Sequence, residues 1–222
     1  MRLTELLKQI TKRQWLILAY LPIHFIWFFA VEAINITEYT PIYSVLDDMI
    51  PFCEWFIFPY MIWFLYMMIP AFYFLFKESA FFEKFALSLF IGFIISLLII
   101  TLWPTGQDLR PVVDPDKNFA SWIVAFIYDF DTNTNVFPSM HVVGTVAVAF
   151  SLTKSKTLGK MYLLQILNWV LCLAIIAATV FLKQHSILDV FSGIIIEIPV
   201  LIFVFSGAAS RLLDRILGET AA

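Results

Sequence analysis

Long apolar runs separated by short polar segments make up most of this chain. Six of these runs are predicted to be helices, at residues 15–33, 55–76, 82–103, 139–151, 161–182 and 186–206. A helix needs about 20 apolar residues to cross a bilayer, and five of the runs have that length. The run at 139–151 is too short to cross alone, so we expect it to begin at or below the level of the lipid headgroups. The pattern predicts an all-α integral membrane protein, a six-transmembrane-helix bundle forming a single membrane domain over residues 1–222.

The polar segments carry weaker patterns. Residues 1–13 alternate leucine and isoleucine with lysine and arginine, which predicts an N-terminal amphipathic helix on an anionic membrane face. The acidic connector 34–51 is predicted to contain a short helix at 42–50, and the connector 104–137 contains an apolar segment at 122–128. The tail from residue 211 onward is polar and is not assigned a helix.

The basic residues predict the orientation, because cytoplasmic connectors are enriched in lysine and arginine. Eleven of the 14 fall on one side of the predicted helices: Arg2, Lys8, Lys12, Arg13, Lys77, Lys84, Lys154, Lys156, Lys160, Arg211 and Arg215. Only Arg110, Lys117 and Lys183 fall on the other. We therefore expect a multi-pass protein of the cell membrane with both termini cytoplasmic.

Composition supports this class. Hydrophobic residues make up 61% of the chain, against about 45–50% in soluble domains. The formal net charge of -3 gives no sign of nucleic-acid binding. The two cysteines, Cys53 and Cys172, are expected to be free thiols. The oligomeric state is left open by the sequence.

Two motifs place a histidine at the start of an apolar run. In Pro138-Ser139-Met140-His141, Ser139 is predicted to be an N-cap, and the first turn of a helix offers free N–H groups to a phosphate. The alternative is that Ser139 only caps the helix and His141 only anchors it at the interface.

His185 and Asp189, in the second motif, are four residues apart and therefore share one helix face. A carboxylate there can hold the imidazole in one tautomer and raise its basicity. A structural hydrogen-bonded pair is the alternative. Glu197 lies deeper on the same face and is interpreted as structural, and the lone His24 as a packing group.

Arg110-Pro111 lies on the same predicted membrane side as both histidines, and an arginine fork suits phosphate oxygens. A solvated loop arginine is the alternative. Other chemistries fit less well, since the chain has no His-Glu-x-x-His metal motif, no glycine-rich phosphate loop and no Gly-x-Ser-x-Gly turn. Neither a metal nor a cofactor is therefore predicted.

These motifs resemble those of the type 2 phosphatidic acid phosphatase superfamily: Lys-x6-Arg-Pro, Pro-Ser-Gly-His and Ser-Arg-x5-His-x3-Asp. The resemblance covers residues 52–206 and is closest to the branch that holds inositol phosphorylceramide and sphingomyelin synthases, through Lys183-Gln184-His185 and the stretch 47–52. The chain departs from the family where Trp103 replaces the lysine, Met140 the glycine, and Ala178-Thr179 the Ser-Arg pair.

The resemblance implies roles for the motif residues. His185 would attack phosphorus to form a phosphohistidine, Asp189 would orient it, and His141 would protonate the leaving oxygen. The phosphoryl oxygens would be held by Arg110, Lys183 and the helix start at Ser139, without a metal.

The function implied is a membrane lipid phosphatase with its active site at the extracytoplasmic end. Its substrate would be a lipid phosphate ester or pyrophosphate, such as phosphatidic acid, phosphatidylglycerol phosphate or undecaprenyl pyrophosphate. One alternative is a lipid headgroup phosphotransferase that uses an alcohol acceptor. A second is a non-enzymatic lipid-binding or translocating protein.

Overall fold

The computed structural model of the chain describes residues 10–34 and 38–217, and the described part is almost entirely helical. The helices are α1 (Lys12–Leu18), α2 (Tyr20–Glu32), α3 (Val45–Met49), α4 (Ile57–Lys77), α5 (Ser79–Leu102), α6 (Phe119–Phe130), α7 (Met140–Lys154), α8 (Tyr162–Phe181), α9 (Ile187–Phe205) and α10 (Ala208–Leu217). Short 3-10 turns lie at Glu54–Phe56 and Leu158–Lys160. Two residues of β1 (Thr40–Pro41) pair in parallel with β2 (Thr105–Gly106).

Five helical segments of the described chain are long and apolar enough to cross a membrane, which identifies an all-α, multi-pass membrane protein. They are Lys12–Glu32, Glu54–Lys77, Ser79–Leu102, Tyr162–Phe181 and Ile187–Phe205. As the sequence predicts, α7 is shorter, at 15 residues. The sixth crossing therefore stays a prediction.

Helix α7 lies at the centre of the bundle and packs against α4, α5, α8 and α9. Its buried residues are mostly small or β-branched, such as Val143, Ala147 and Val148. Small residues allow helix backbones to approach closely, and close packing takes the place of the hydrophobic effect between helices in lipid. A short helix can lie at membrane depth here because protein surrounds it.

Both histidine motifs lie at one end of the bundle, where α7 and α9 begin and α2, α5 and α8 end. At the opposite end Arg13 pairs with Glu83, at 2.6 Å, and with Asp214 on α10. We call the end of the bundle that carries the two histidine motifs the histidine end.

The structure differs from the predictions at the termini and in the connectors. The predicted amphipathic helix at 1–13 lies mostly outside the described residues, and Lys12 already belongs to α1 because the side chain of Thr11 caps that helix. No helix was assigned to the polar tail, and part of it belongs to α10, which is amphipathic and packs against α9 and α5. The predicted short helix at 42–50 is confirmed as α3.

Gly193 sets the spacing between α7 and α9. A Cβ atom at this position would lie 3.0 Å from the backbone oxygen of Ser139 and 3.0 Å from the Cβ of Val142. The two helix starts that carry the histidines can therefore approach only because residue 193 has no side chain.

We predict that Gly193→Leu lowers the thermal stability of the detergent-solubilised protein, by about 1–3 kcal/mol, because the new side chain overpacks this contact. Ile195→Leu, on the exposed side of α9, is the matched control and should change stability by less than about 0.5 kcal/mol. Equal unfolding midpoints for the two variants would contradict the prediction.

Candidate active site

The predicted pairing of His185 with Asp189 is present at the start of α9, but the two residues do not share a helix face, because His185 precedes the N-cap residue Ser186. The His185 Nδ1 atom lies 3.1 Å from Asp189 Oδ2, which also accepts a hydrogen bond from the Ser186 backbone N–H at 2.9 Å. Asp189 is fully buried. An ionised carboxylate can only accept a hydrogen bond, so Nδ1 carries the hydrogen. The imidazole is thereby held in the tautomer whose Nε2 lone pair is free.

His141 stands opposite, on the first turn of α7. Its ring is 5.7 Å from the His185 ring, centroid to centroid, in an edge-on arrangement. Tyr60 stacks on His141 at 4.5 Å, and Trp63 contacts it at 4.2 Å. The structure thus brings together three residues from two distant segments, with the His141 ring held between aromatic neighbours on α4.

A cavity of about 440 Å³ opens beside both histidines. It runs from the loop residues near Asp131 down to His24 and Phe93, which stack at 5.2 Å inside the bundle. Its wall is mainly aromatic, as in most small-molecule sites. The Pro138 and His141 side of the wall is the start of α7, where backbone N–H groups lack partners within the helix.

Two acidic side chains line this cavity. Among the described residues that line it, Glu32 and Asp131 are acidic, and none is a lysine or arginine. Glu32 accepts hydrogen bonds from Asn135 and Thr132, and Asp131 accepts one from the Tyr60 hydroxyl at 3.2 Å. Both carboxylates are therefore held in place at the mouth of the cavity.

Arg110 approaches the site but bonds to the protein. Its terminal nitrogens donate to the backbone oxygens of Asp131 (2.7 Å) and Thr132 (2.8 Å), and to Gln184 Oε1. A longer contact of 3.4 Å reaches the Tyr128 oxygen, and the guanidinium lies over the Tyr128 ring. Burial lowers the Arg110 pKa and nearby Asp131 opposes that shift; the group stays cationic because arginine titrates so high.

Lys183 points away from the cavity. Its Nζ donates to the backbone oxygens of Asp47 (2.6 Å), in α3, and of Ile50 (2.5 Å), directly after α3. Its own backbone has a φ of 53°, in the left-handed region, where the chain turns from α8 into α9. Lys183 thus ties α3 to the histidine turn.

Ser139 occupies the predicted N-cap position of α7, but its side chain makes no capping hydrogen bond. The hydroxyl is fully buried without a partner among the described residues, and Ser139 does not line the cavity. Its backbone N–H donates to the Asp189 oxygen at 3.3 Å, so this residue links the starts of α7 and α9.

Sequence reasoning missed Asp47, whose carboxylate caps α9 from another segment. Its oxygens accept hydrogen bonds from the Ile187 backbone N–H (2.8 Å), the Ser186 hydroxyl (2.6 Å) and the Ser44 backbone N–H (2.8 Å). Two sequence signals include this residue. It begins the stretch 47–52 that carries part of the family resemblance, and it stands three residues after Ser44, which gives a capping box for α3. Neither indicated a bond to α9.

Gln107 was also missed. Its side chain donates to the Lys183 oxygen at 2.8 Å and accepts from the Leu109 N–H at 2.6 Å. It therefore braces the turn before His185 from the connector after α5.

The arrangement can perform nucleophilic and acid–base chemistry. His185 presents a basic nitrogen, and His141, whose ring lies 5.7 Å from the His185 ring, can give or take a proton. Within residues 10–34 and 38–217, no three His, Cys, Asp or Glu side chains are grouped to hold a metal ion.

We predict that Asp47→Ala lowers the free energy of unfolding by at least about 2 kcal/mol, because it leaves buried donors at the start of α9 unpaired. The neighbouring Asp48→Ala is the matched control: Asp48 bonds to the exposed Tyr43 hydroxyl, so its loss should cost less than about 1 kcal/mol. Denaturant unfolding in a fixed detergent measures both, and similar losses would show that Asp47 has no special role.

Comparison with protein-family models, with curated proteins and with solved structures finds no match for this chain.

Proposed function

We propose that this protein is a membrane lipid phosphatase that works through a phosphohistidine on His185. The single observation that carries the proposal is the facing pair of imidazoles, 5.7 Å apart at an open cavity, with Asp189 behind His185. A structural histidine pair would need neither the free Nε2 nor the cavity.

The reaction has two balanced steps. In the first, His185 Nε2 attacks phosphorus, the ester P–O bond breaks, and His141 gives its proton to the leaving oxygen. In the second, His141 takes a proton from water, the oxygen of that water attacks phosphorus, and the P–N bond breaks to release phosphate. Asp189 stabilises the positive charge that develops on the His185 ring.

The shape of the cavity supports a lipid substrate. Its aromatic wall reaches membrane depth between α2 and α4, where Phe25, Phe28 and Phe64 line it. An acyl chain could remain in this apolar groove while the phosphate lies at the histidines. The site would face the extracytoplasmic side, because Lys154 and Arg211 lie at the other end of the bundle.

A second candidate is a lipid headgroup phosphotransferase, in which an alcohol replaces water in the second step. The acidic mouth of the cavity favours it. Beside Glu32 and Asp131, a phosphodiester with one negative charge costs less to bind than a doubly charged monoester.

We predict that His185→Ala abolishes covalent labelling by a radiolabelled activated aryl phosphate, because the nucleophile is lost. His141→Ala should still label and should hold the label longer, since water is no longer activated. Turnover of lipid should fall by at least about 10²-fold in both. Trp55→Phe changes an exposed ring that does not line the cavity and should label normally. Labelling of His185→Ala would exclude the mechanism.

The two candidate functions are separated by their products. We predict that the purified protein releases inorganic phosphate from a lipid phosphate in the absence of any alcohol. A phosphotransferase would instead form a new lipid only when acceptor is added. A panel of lipid phosphates, each assayed with and without alcohol acceptors, measures both. If His185→Ala and wild type give the same products, both candidates are wrong.

A further inference from the structure

Four aromatic side chains form an exposed ladder along one face of α6. They are Phe119, Trp122, Phe126 and Phe130, each between 50% and 75% exposed. Each ring contacts the next, with centroid distances of 6.1, 6.2 and 4.8 Å along the helix. Residues spaced by three or four lie on the same side of a helix, so the four rings form one continuous surface. We call this surface the aromatic ladder.

The opposite face of α6 packs into the protein. Ala120, Ile123 and Val124 are buried in one cluster with Ile57 and Tyr60, which belong to the start of α4. Because the segment that contains α4 is long and apolar enough to cross a membrane, α6 lies at the level where that segment begins. A helix that is apolar on both faces must also cover its outer face, with lipid or with another chain.

The surroundings of α6 favour lipid. With 12 residues it is about 18 Å long, too short to cross a bilayer. Exposed charges flank it, from Asp116 and Lys117 before its start to Asp129 in its last turn. Phenylalanine and tryptophan between charged ends are typical of a helix that lies in the membrane–water interface.

The aromatic ladder also continues the outer surface of a membrane-crossing segment. Helix α6 packs against the 3-10 turn Glu54–Phe56 and against α4. There Trp55 and Phe58 are exposed and stack on each other at 6.1 Å. The same lipid that covers these two rings can therefore cover the ladder, whereas a second copy of the chain would have to displace it.

The ladder ends at the cavity. Phe130, its last ring, lines the cavity together with Ile127 from the same turn. Phe25, Phe29 and Phe64, on α2 and α4, line it as well and are also exposed. Exposed side chains in the wall show that this side of the cavity is open to the surroundings of the bundle. A lipid beside the ladder could enter the cavity without leaving an apolar environment.

We propose that α6 lies in the interface of the leaflet at the histidine end, held there by the aromatic ladder, and that the cavity takes its lipid from that leaflet beside Phe130. The position of α6 follows from the exposed rings alone. The route rests on the proposed function, since it names how a lipid phosphate reaches the histidines. Helix α6 is also bonded to the turn before His185, because the Tyr128 hydroxyl donates to the Leu182 oxygen at 2.6 Å.

Spin-label EPR of the full chain in lipid nanodiscs tests the position of α6. A Cys53→Ser parent keeps only the buried Cys172, and a nitroxide is attached at Phe126→Cys. Asp116→Cys, in the exposed connector, is the aqueous control, and Ile69→Cys, exposed within α4, is the lipid control. We expect the ratio of oxygen to water-soluble nickel accessibility at 126 to lie well above that at 116 and below that at 69.

Two results would overturn the position of α6. A ratio at 126 equal to that at 116 would place the ladder in water. A label at 126 that is shielded from both oxygen and nickel would show that protein covers it, such as a second copy of the chain. If Phe126→Cys does not fold, Trp122→Cys reports on the same ladder, and the same ratio is expected.

A lipid phosphate that carries a photoreactive diazirine in its acyl chain tests the route. We expect it to label Phe130 more often than Ile69 in wild type, whereas a diazirine-bearing hydrocarbon without phosphate should label both to a similar extent. Equal labelling of the two sites by the lipid phosphate would overturn the route. His185→Ala should give the wild-type pattern, because entry precedes the chemistry. If that variant also turns over the lipid at the wild-type rate, the proposed function fails and the route stands.

Discussion

The structure of the histidine end depends on two buried carboxylates that accept hydrogen bonds from the first turn of α9. Asp189 accepts from Ser186 within the helix, and Asp47 accepts from Ile187 and Ser186 from another segment. Backbone N–H groups at a helix start have no intrahelical partner, and lipid offers none. The carboxylates satisfy these groups and at the same time fix the His185 ring. The start of α9 and the position of the His185 ring are therefore fixed by one network of hydrogen bonds.

This network explains the unusual charge of the site. Lys183, two residues before His185, and Arg110, which is bonded to Gln184, donate to backbone oxygens of the connectors. They hold α3 and the loop after α6 against the start of α9, which a membrane protein needs because irregular backbone must be bonded internally. The side chains of Lys183 and Arg110 thus help to build the site. Among the described residues that line the cavity there is no lysine or arginine, and Glu32 and Asp131 are the acids.

Much of this could be predicted from sequence, because membrane helices and helix spacing are local properties. The predicted runs correspond to α1–α2, α4, α5, α7, α8 and α9 within a few residues at each boundary, and the i,i+4 pairing of His185 with Asp189 is seen directly. Helix α10 was not assigned, because its charged residues Arg211, Asp214 and Arg215 give the tail a polar character. The bonds of Arg110 and Lys183 could not be predicted either, since their acceptors are backbone oxygens, which every residue carries.

The sequence by itself determined that this is a multi-pass helical membrane protein with histidines at two helix starts. The physical reason is that apolar length and residue spacing act along the chain. Only the tertiary structure decided that His141 faces His185 and that Asp47 caps α9. These relations join segments up to 140 residues apart, and they arise from packing around α7, which no local pattern encodes.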